Sequence, residues 1–423
     1  MIAALVLAGL LLMPADVMAA PQLRYDVEYP AIGYSERART DRVADLREAL
    51  AEGRERLSFD PRGGYLTSLL ESLDIPVSSQ MLVFTKTSFQ GHLVSPERPR
   101  AIYFNDDVYV AYVQGSEVLE LSAIDPVLGG VFYSLEQRPD APASIAEESD
   151  LCLGCHDSFG LSGGGVPRHL VGSMLPDENG MSVTHEGWSL TDDRTPLRRR
   201  WGGWYVTGTH GTQEHRGNVI VRSPADVPTL DFGASGNRVE LEGLVDVAPY
   251  PTPHSDIVAL MVLEHQVHVQ NLITRMNYDV RSALHAERLT DEVVAKGGEP
   301  LVEAMLFRDE AAVRDAIAGT SSFTEDFEAR GPRDDQGRSL RDLDLTTRLF
   351  RYPLSYLIYS ESFAALPDVA RRYVYRRLYE VLTDSTPGPA YAHLTDTDRR
   401  AILGILLDTD PAFANLGLGR SLP

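Results

Sequence analysis

Short runs of β-branched and aromatic residues dominate the pattern of hydrophobic positions between residues 75 and 137. Turn-forming residues at 105–107 and 114–116 follow two of these runs, and apolar runs bounded by turns are typical of antiparallel strands. The pattern therefore predicts a small antiparallel sheet in this part of the chain. Its strands are expected at residues 81–84, 101–104, 108–112 and 131–133.

A helical pattern begins at Ser255, a residue type well suited to cap a helix N-terminus. Residues 257–263 are apolar on every side of the predicted helix, which indicates that the helix is buried. Four polar residues follow within the same pattern: Glu264, His265, His268 and Asn271. We expect the ionisable ones to have partners, because an unpaired buried charge is costly.

From about residue 287 onward the pattern is mainly helical. Helices are predicted at residues 292–296, 300–319, 343–360, 368–382 and 395–408, the third kinked at Pro353. A short helical turn is also expected at 145–148. A sheet followed by helices predicts an α+β fold, with a β-rich N-terminal region and mainly helical middle and C-terminal regions.

The start of the chain has the pattern of a signal peptide. Residues 1–14 form an apolar run that is too short to span a bilayer as a helix. Small residues at 17–19 follow it, as at a cleavage site, although the usual positively charged start is missing. We predict a signal peptide at residues 1–19 and a periplasmic location. No later segment has the length and hydropathy of a membrane span.

The 423 residues carry a formal net charge of −22. This charge argues against nucleic acid as a partner, since phosphates would be repelled over most of the surface. It suits a basic redox partner protein, because complementary charge speeds docking. It is equally consistent with a charge that only keeps an exported protein soluble.

The only two cysteines of the chain lie in the segment Cys152-Leu153-Gly154-Cys155-His156. The spacing C-x-x-C-H is the attachment signature of covalently bound haem c. Each thiol adds across one haem vinyl group to form a thioether, and the following histidine, His156, becomes the proximal iron ligand. The sequence therefore predicts one covalent haem c per chain, bound by Cys152, Cys155 and His156.

Other interpretations of the two cysteines stay open at this point. A structural zinc site needs about four ligands, and the chain has no second cysteine pair. A thioredoxin-like dithiol would be expected to open a helix in a βαβ unit, whereas here an acidic segment precedes the motif. A structural disulfide is the third alternative.

The ligand on the other side of the iron decides between electron transfer and ligand chemistry. The sequence offers several distal candidates: His169, Met174, His210, His215, His265 and His268. An open sixth position is the alternative. For most of these histidines a hydrogen-bonded place in the core explains the residue equally well.

Residues 185–222 contain all three tryptophans and many arginines. Guanidinium and indole N–H groups are natural donors to haem propionates, so four residues are propionate candidates: Arg200, Trp201, Trp204 and Arg216. A second metal site is also conceivable, in which Glu264 and His268 join His210 or His215. A buried Glu–His hydrogen bond explains the same spacing.

The segment 151–157 resembles the attachment site of c-type cytochromes. Segments 99–110, 201–211 and 255–266 extend the likeness to large exported monohaem proteins that contain a cytochrome c domain. The resemblance implies roles only for Cys152, Cys155 and His156. The patterns along the whole chain predict four regions: the signal peptide 1–19, a β-rich N-terminal region 20–145, a haem-binding cytochrome c-like region 146–286 and a helical region 287–423. The chain lacks a clear distal methionine segment and is several times longer than one cytochrome domain needs.

Electron transfer through one covalently bound haem is the expected function. The alternative is a haem enzyme, peroxidase-like or another small-molecule oxidoreductase, with an open or weakly ligated distal iron site and a histidine as general acid–base. A haem-based sensor without turnover is the third alternative. The length of chain beyond the motif favours an enzyme, because electron transfer alone does not require it.

Overall fold

The computed structural model describes residues 27–158, 165–183 and 187–416. Within them, a six-stranded antiparallel sheet occupies the N-terminal half and helices dominate the C-terminal half. This arrangement confirms the predicted α+β fold. The predicted signal peptide at 1–19 lies outside the described residues.

The sheet follows the order of the chain, and each strand pairs antiparallel with the next. Its strands are β1 (Met81–Val83), β2 (Arg100–Phe104), β3 (Val108–Val113), β4 (Val118–Asp125), β5 (Gly129–Glu136) and β6 (Ile145–Glu147). The four predicted strands match β1, β2, β3 and β5. β4 was not among the predicted strands, because it contains no continuous run of β-branched and aromatic residues: Leu119 and Leu121 alternate with Glu120 and Ser122.

The helical turn predicted at 145–148 is wrong. Ile145 pairs with Leu135 of β5, so this segment extends the sheet by one strand. Helix α3 (Ser149–His156) begins only after β6 ends. Pairing with an existing strand edge outweighs the weak local helical preference of so short a segment.

The two faces of the sheet pack against different layers. Tyr103, Leu121 and Tyr133 belong to a core that includes helices α1 (Arg42–Ala51) and α2 (Leu66–Ser72). Successive strand residues point to opposite faces of the sheet. Phe104, Tyr109 and Ile124 point to the other face and belong to a second, larger core.

Helix α4 (Ile257–His285) is the centre of this larger core and is buried along most of its length. The side chain of Asp256 caps it by accepting hydrogen bonds from the Val258 and Ala259 N–H groups, at 2.8 and 3.3 Å. Ser255, the predicted cap, instead donates to the Tyr205 carbonyl at 2.6 Å. It thereby joins the start of the helix to the loop beside the sheet.

The remaining helices pack around α4 or beside it. They are α5 (Asp291–Met305), α6 (Phe323–Glu328), α7 (Glu361–Ala364), α8 (Asp368–Thr383), α9 (Asp396–Thr409) and α10 (Pro411–Ala414). A small hairpin of β7 (Gly172–Met174) and β8 (Trp188–Leu190) lies apart from the main sheet. In the part of the chain that the structure describes, no helix combines the length and apolar character of a membrane span.

The helices predicted at 300–319 and 343–360 are wrong. α5 starts earlier, at Asp291, runs through Pro300 and ends at Met305, after which Phe307 and Asp309 adopt positive φ angles that no α-helix allows. In the second segment Leu343 pairs with Phe350 across a bend at Leu345, whose φ is also positive. Buried contacts of Phe307 and Phe350 override the helical pattern.

Candidate functional site

Helix α3 carries the cysteine motif at its C-terminal end. Cys152 is half-buried, Cys155 is exposed, and both are free thiols. Immediately before the helix, the Glu148 backbone N–H donates to the Phe132 carbonyl of β5 at 2.9 Å. The helix is therefore anchored to the sheet at its N-terminal end, while the two thiols lie one turn further along.

The His156 ring is held by the backbone of Arg168 and by the ring of Phe132. Its Nδ1 lies 2.5 Å from the Arg168 carbonyl oxygen, and its ring packs on Phe132 with centroids 4.4 Å apart. A carbonyl only accepts, so Nδ1 carries the proton and Nε2 keeps its lone pair. Burial lowers the pKa of His156 and so favours the neutral imidazole.

The residues of the motif fit a covalent haem. Both sulfurs are unbonded and share one helix. The histidine that follows them has its tautomer set by a backbone carbonyl, which is the outer contact that metal-ligating histidines usually make. Cys152, Cys155 and His156 are the residues that would hold the group, through two thioethers and Nε2.

The competing interpretations of the cysteines find less support. Burial, and then the charges of Glu120 and Glu148, raises the pKa of the Cys152 thiol to about 11, whereas redox-active thiols have lowered pKa values. Among the described residues, the group of His, Cys, Asp and Glu that could hold a metal ion is Asp192, Asp193 and His268, and neither cysteine belongs to it.

His169 is the distal candidate that the structure places near the motif. Its ring centroid lies 6.1 Å from that of His156. Its Nε2 contacts the Ser122 hydroxyl at 2.6 Å, and its Nδ1 has no hydrogen-bond partner among the described residues. Burial, and then His156, lowers its pKa to about 3. Asn271 bonds both the N–H and the carbonyl of His169, at 3.1 and 2.9 Å.

His210 and His215 form a separate pair. Their ring centroids are 4.7 Å apart, and His215 also contacts Trp201. His210 Nε2 accepts from the Asn237 N–H at 2.9 Å, and His215 Nδ1 accepts from the Gly217 N–H at 3.0 Å. Each ring therefore already uses one nitrogen as an acceptor within the fold.

His265 and His268 share the buried carboxylate of Asp193. His268 Nδ1 lies 2.8 Å from one carboxylate oxygen, and His265 Nδ1 lies 3.4 Å from the other. His265 Nε2 contacts the Ser355 hydroxyl at 2.9 Å. Burial by itself raises the pKa of Asp193, but the hydrogen bonds from both histidines outweigh it, so the pKa lies well below its usual range.

Arg200 and Glu264 form a fully buried ion pair beside this cluster, with an N–O distance of 2.9 Å. Arg200 also donates to the Asp193 carbonyl at 2.7 Å. Burial raises the pKa of Glu264 to about 7 even though Arg200 lowers it. We call Asp193, Arg200, Glu264, His265 and His268 the buried ionic network.

The second metal site considered from the sequence does not assemble. Glu264 binds Arg200 and His268 binds Asp193, while His210 and His215 contact each other elsewhere. Asp193, which links the members of the network, is not predicted from the sequence. Its histidine partners lie more than 70 residues further along the chain, so no local motif identifies it as their partner.

Three of the four propionate candidates are buried: Arg200, Trp201 and Trp204. The Trp204 indole N–H donates to the Gly172 carbonyl at 2.8 Å. Trp201 is buried with a positive φ, and its indole N–H has no partner among the described residues. The Arg216 backbone N–H donates to the Arg200 carbonyl at 3.0 Å. Met174 is buried in β7.

Comparisons with known protein families, with curated proteins and with solved structures found no match.

Proposed function

We propose that this chain is an exported c-type cytochrome that carries one haem on Cys152 and Cys155 and transfers single electrons. His156 is the proximal iron ligand in this proposal. When bound, a c-type haem supplies a one-electron iron couple. The protein supplies the two thiols, the axial imidazole and the surroundings that tune the iron.

The hydrogen bond between His156 Nδ1 and the Arg168 carbonyl carries the proposal. It places the proton on the nitrogen that faces the backbone and leaves Nε2 free to bind iron. A histidine that served only as a surface residue of α3 would not need a backbone carbonyl 2.5 Å from Nδ1 to fix its tautomer. Both neighbouring thiols are also unpaired, as attachment of a haem requires.

A haem enzyme with an open sixth position is the second candidate. The contacts of the candidate distal histidines favour it, because His169, His210 and His265 each already contact a protein group through Nε2. His169 is the one beside His156. Binding iron would require His169 to give up Ser122 or to use its Nδ1.

Covalent attachment is tested by expressing the chain in a periplasm that has a haem-attachment pathway and staining denaturing gels for haem. Wild type is expected to retain haem. Cys155→Ser is expected to keep one thioether, and Cys152→Ser/Cys155→Ser none. Leu151→Ala, an exposed neighbour on α3, is the control and should retain haem. Haem retained by the double serine variant would overturn the assignment.

An optical spectrum, with and without carbon monoxide, decides between the two functions. A six-coordinate low-spin spectrum that carbon monoxide does not change supports electron transfer. A high-spin spectrum that changes on carbon monoxide binding supports the enzyme. If wild type is low-spin and His169 is the sixth ligand, His169→Gln should give a high-spin spectrum. His210→Gln should leave the low-spin spectrum unchanged.

A further inference from the structure

A cavity of about 300 Å³ lies along α4 and the end of α5. Its lining contains four arginines, Arg168, Arg194, Arg275 and Arg308, but only two carboxylates, Glu303 and Asp309. The cavity thus gathers four guanidinium groups in a chain whose net charge is −22. Guanidinium groups are the side chains best suited to bind oxyanions.

Carboxylates orient two of the arginines that line the cavity. Arg308 pairs with Glu303 and with Asp309, the latter at 3.5 Å, and Arg194 pairs with Asp192 at 2.5 Å. A guanidinium has five N–H donors, so both arginines keep donors for a ligand beside these partners. The planar guanidinium fork matches two oxygens of a phosphate, sulfate or carboxylate group.

His268 provides a second, independent feature of the cavity. It lines the cavity while its Nδ1 is held 2.8 Å from the buried carboxylate of Asp193. The opposite nitrogen, Nε2, is thus the one left for a ligand. The carboxylate contact fixes the orientation of the imidazole ring and leaves Nε2 as its contact for an oxygen of the ligand.

A cation is the competing occupant, since Asp192, Asp193 and His268 bring ligand atoms within 4.8 Å of one another. Each of these groups is already engaged, however. Arg194 binds Asp192, and the Asp193 carboxylate takes hydrogen bonds from two histidines. A metal ion would have to displace these contacts and sit among guanidinium groups of its own sign.

We propose that this cavity binds a small oxyanion of the size of phosphate or sulfate, held by the arginine forks and by His268. Arg168 joins the cavity to the motif, because its side chain lines the cavity while its carbonyl accepts from His156 Nδ1. If the proposed haem function holds, the bound anion lies beside Arg168, the residue whose carbonyl sets the tautomer of His156.

Titration calorimetry on the purified full chain, with and without attached haem, tests the site directly. Inorganic phosphate and sulfate are the probes, and chloride at the same ionic strength is the reference. We expect binding of a phosphate or sulfate ion in wild type, and affinity at least about tenfold weaker in Arg275→Gln. Arg275→Lys keeps the charge but loses the fork and should fall between the two.

Arg222→Gln is the matched control, because it makes the same charge change at a side chain that is 86% exposed. It should bind as wild type does. Arg194→Gln replaces Arg275→Gln if thermal unfolding shows that the latter does not fold. No binding in wild type, or equal losses in Arg275→Gln and Arg222→Gln, would overturn the proposal. Zinc binding that phosphate cannot replace would assign the site to a cation instead. Because calorimetry does not depend on haem attachment, which the stained gel reports, the two proposals can fail separately.

Discussion

Helix α3 and the buried ionic network are the two regions of this molecule richest in chemical groups, and they are built in opposite ways. On α3, Cys155 is exposed and the His156 ring hydrogen-bonds the Arg168 carbonyl. In the network, the Asp193 carboxylate contacts two histidines, and the His265 ring contacts Asp193 and Ser355. The thiols of α3 are therefore unbonded, whereas the charged groups of the network pair with one another inside the protein.

This difference has an energetic consequence. Groups on the surface of α3 contribute little to stability, since solvent satisfies them as well as the protein does. Removing one member of a buried ion pair strongly lowers the free energy of unfolding, because the other charge is left unpaired in the core. Substitutions in the two regions should therefore differ in stability by several kcal/mol.

Removal of Arg200 is expected to have the largest effect. Arg200→Met strands the Glu264 carboxylate in the core, and we expect the free energy of unfolding at pH 8 to fall by roughly 3–5 kcal/mol. Urea unfolding followed by circular dichroism measures the change. Arg199→Met, at the exposed neighbouring position, is the control and should stay within about 0.5 kcal/mol of wild type.

The double variant Arg200→Met/Glu264→Met extends this test. It removes both buried charges and should be more stable than Arg200→Met alone by at least about 1 kcal/mol. Losses that simply add would show that the two side chains do not act as a pair.

A pH dependence of stability is the second expected effect. The pKa of Glu264 is raised from 4.5 to about 7 in the fold, so between these values the folded chain holds a proton that the unfolded chain has released. Glu264 should then contribute a fall in the unfolding free energy as the pH rises through this window, by at most about 1.4 kcal/mol per pH unit. Buried histidines such as His169 and His215, whose pKa values the fold lowers to about 3, contribute a slope of the opposite sign.

Glu264→Gln should remove this contribution, measured as the difference in slope from wild type, and Glu178→Gln, which replaces an exposed carboxylate, should keep the wild-type slope. Denaturant unfolding at several pH values between 4.5 and 7.5 measures both. A contribution of opposite sign would mean that Arg200 keeps Glu264 ionised in the folded state.

The smallest effect is expected on α3. Cys155→Ser in the haem-free chain should change the unfolding free energy by less than about 0.5 kcal/mol, because the side chain is exposed. Ala259→Ser adds a hydroxyl to the buried face of α4 and should cost about 1–3 kcal/mol. Equal losses in the two variants would remove the contrast between the regions.

Much of the fold was predictable because its elements repeat with local periods. The runs at 101–104 and 108–112 became β2 and β3, and the apolar stretch after Ser255 became α4. The two long helices that were wrongly predicted share one cause. Residues 300–319 and 343–360 carry a helical pattern, but contacts of Phe307 and Phe350 with the distant His265 decide their backbone. Local propensity is a weak preference that such packing overrides.

The sequence by itself determined the cysteine motif and the residues that would hold a haem, because Cys152, Cys155 and His156 are neighbours along the chain and their spacing carries the chemistry. Only the tertiary structure decided which histidines share a partner. Asp193 lies 72 residues from His265 and 75 from His268, and no pattern of local spacing encodes contacts over that separation. The arginine-lined cavity arises in the same way, because Arg168, Arg194, Arg275 and Arg308 meet only when α4 packs against its neighbours.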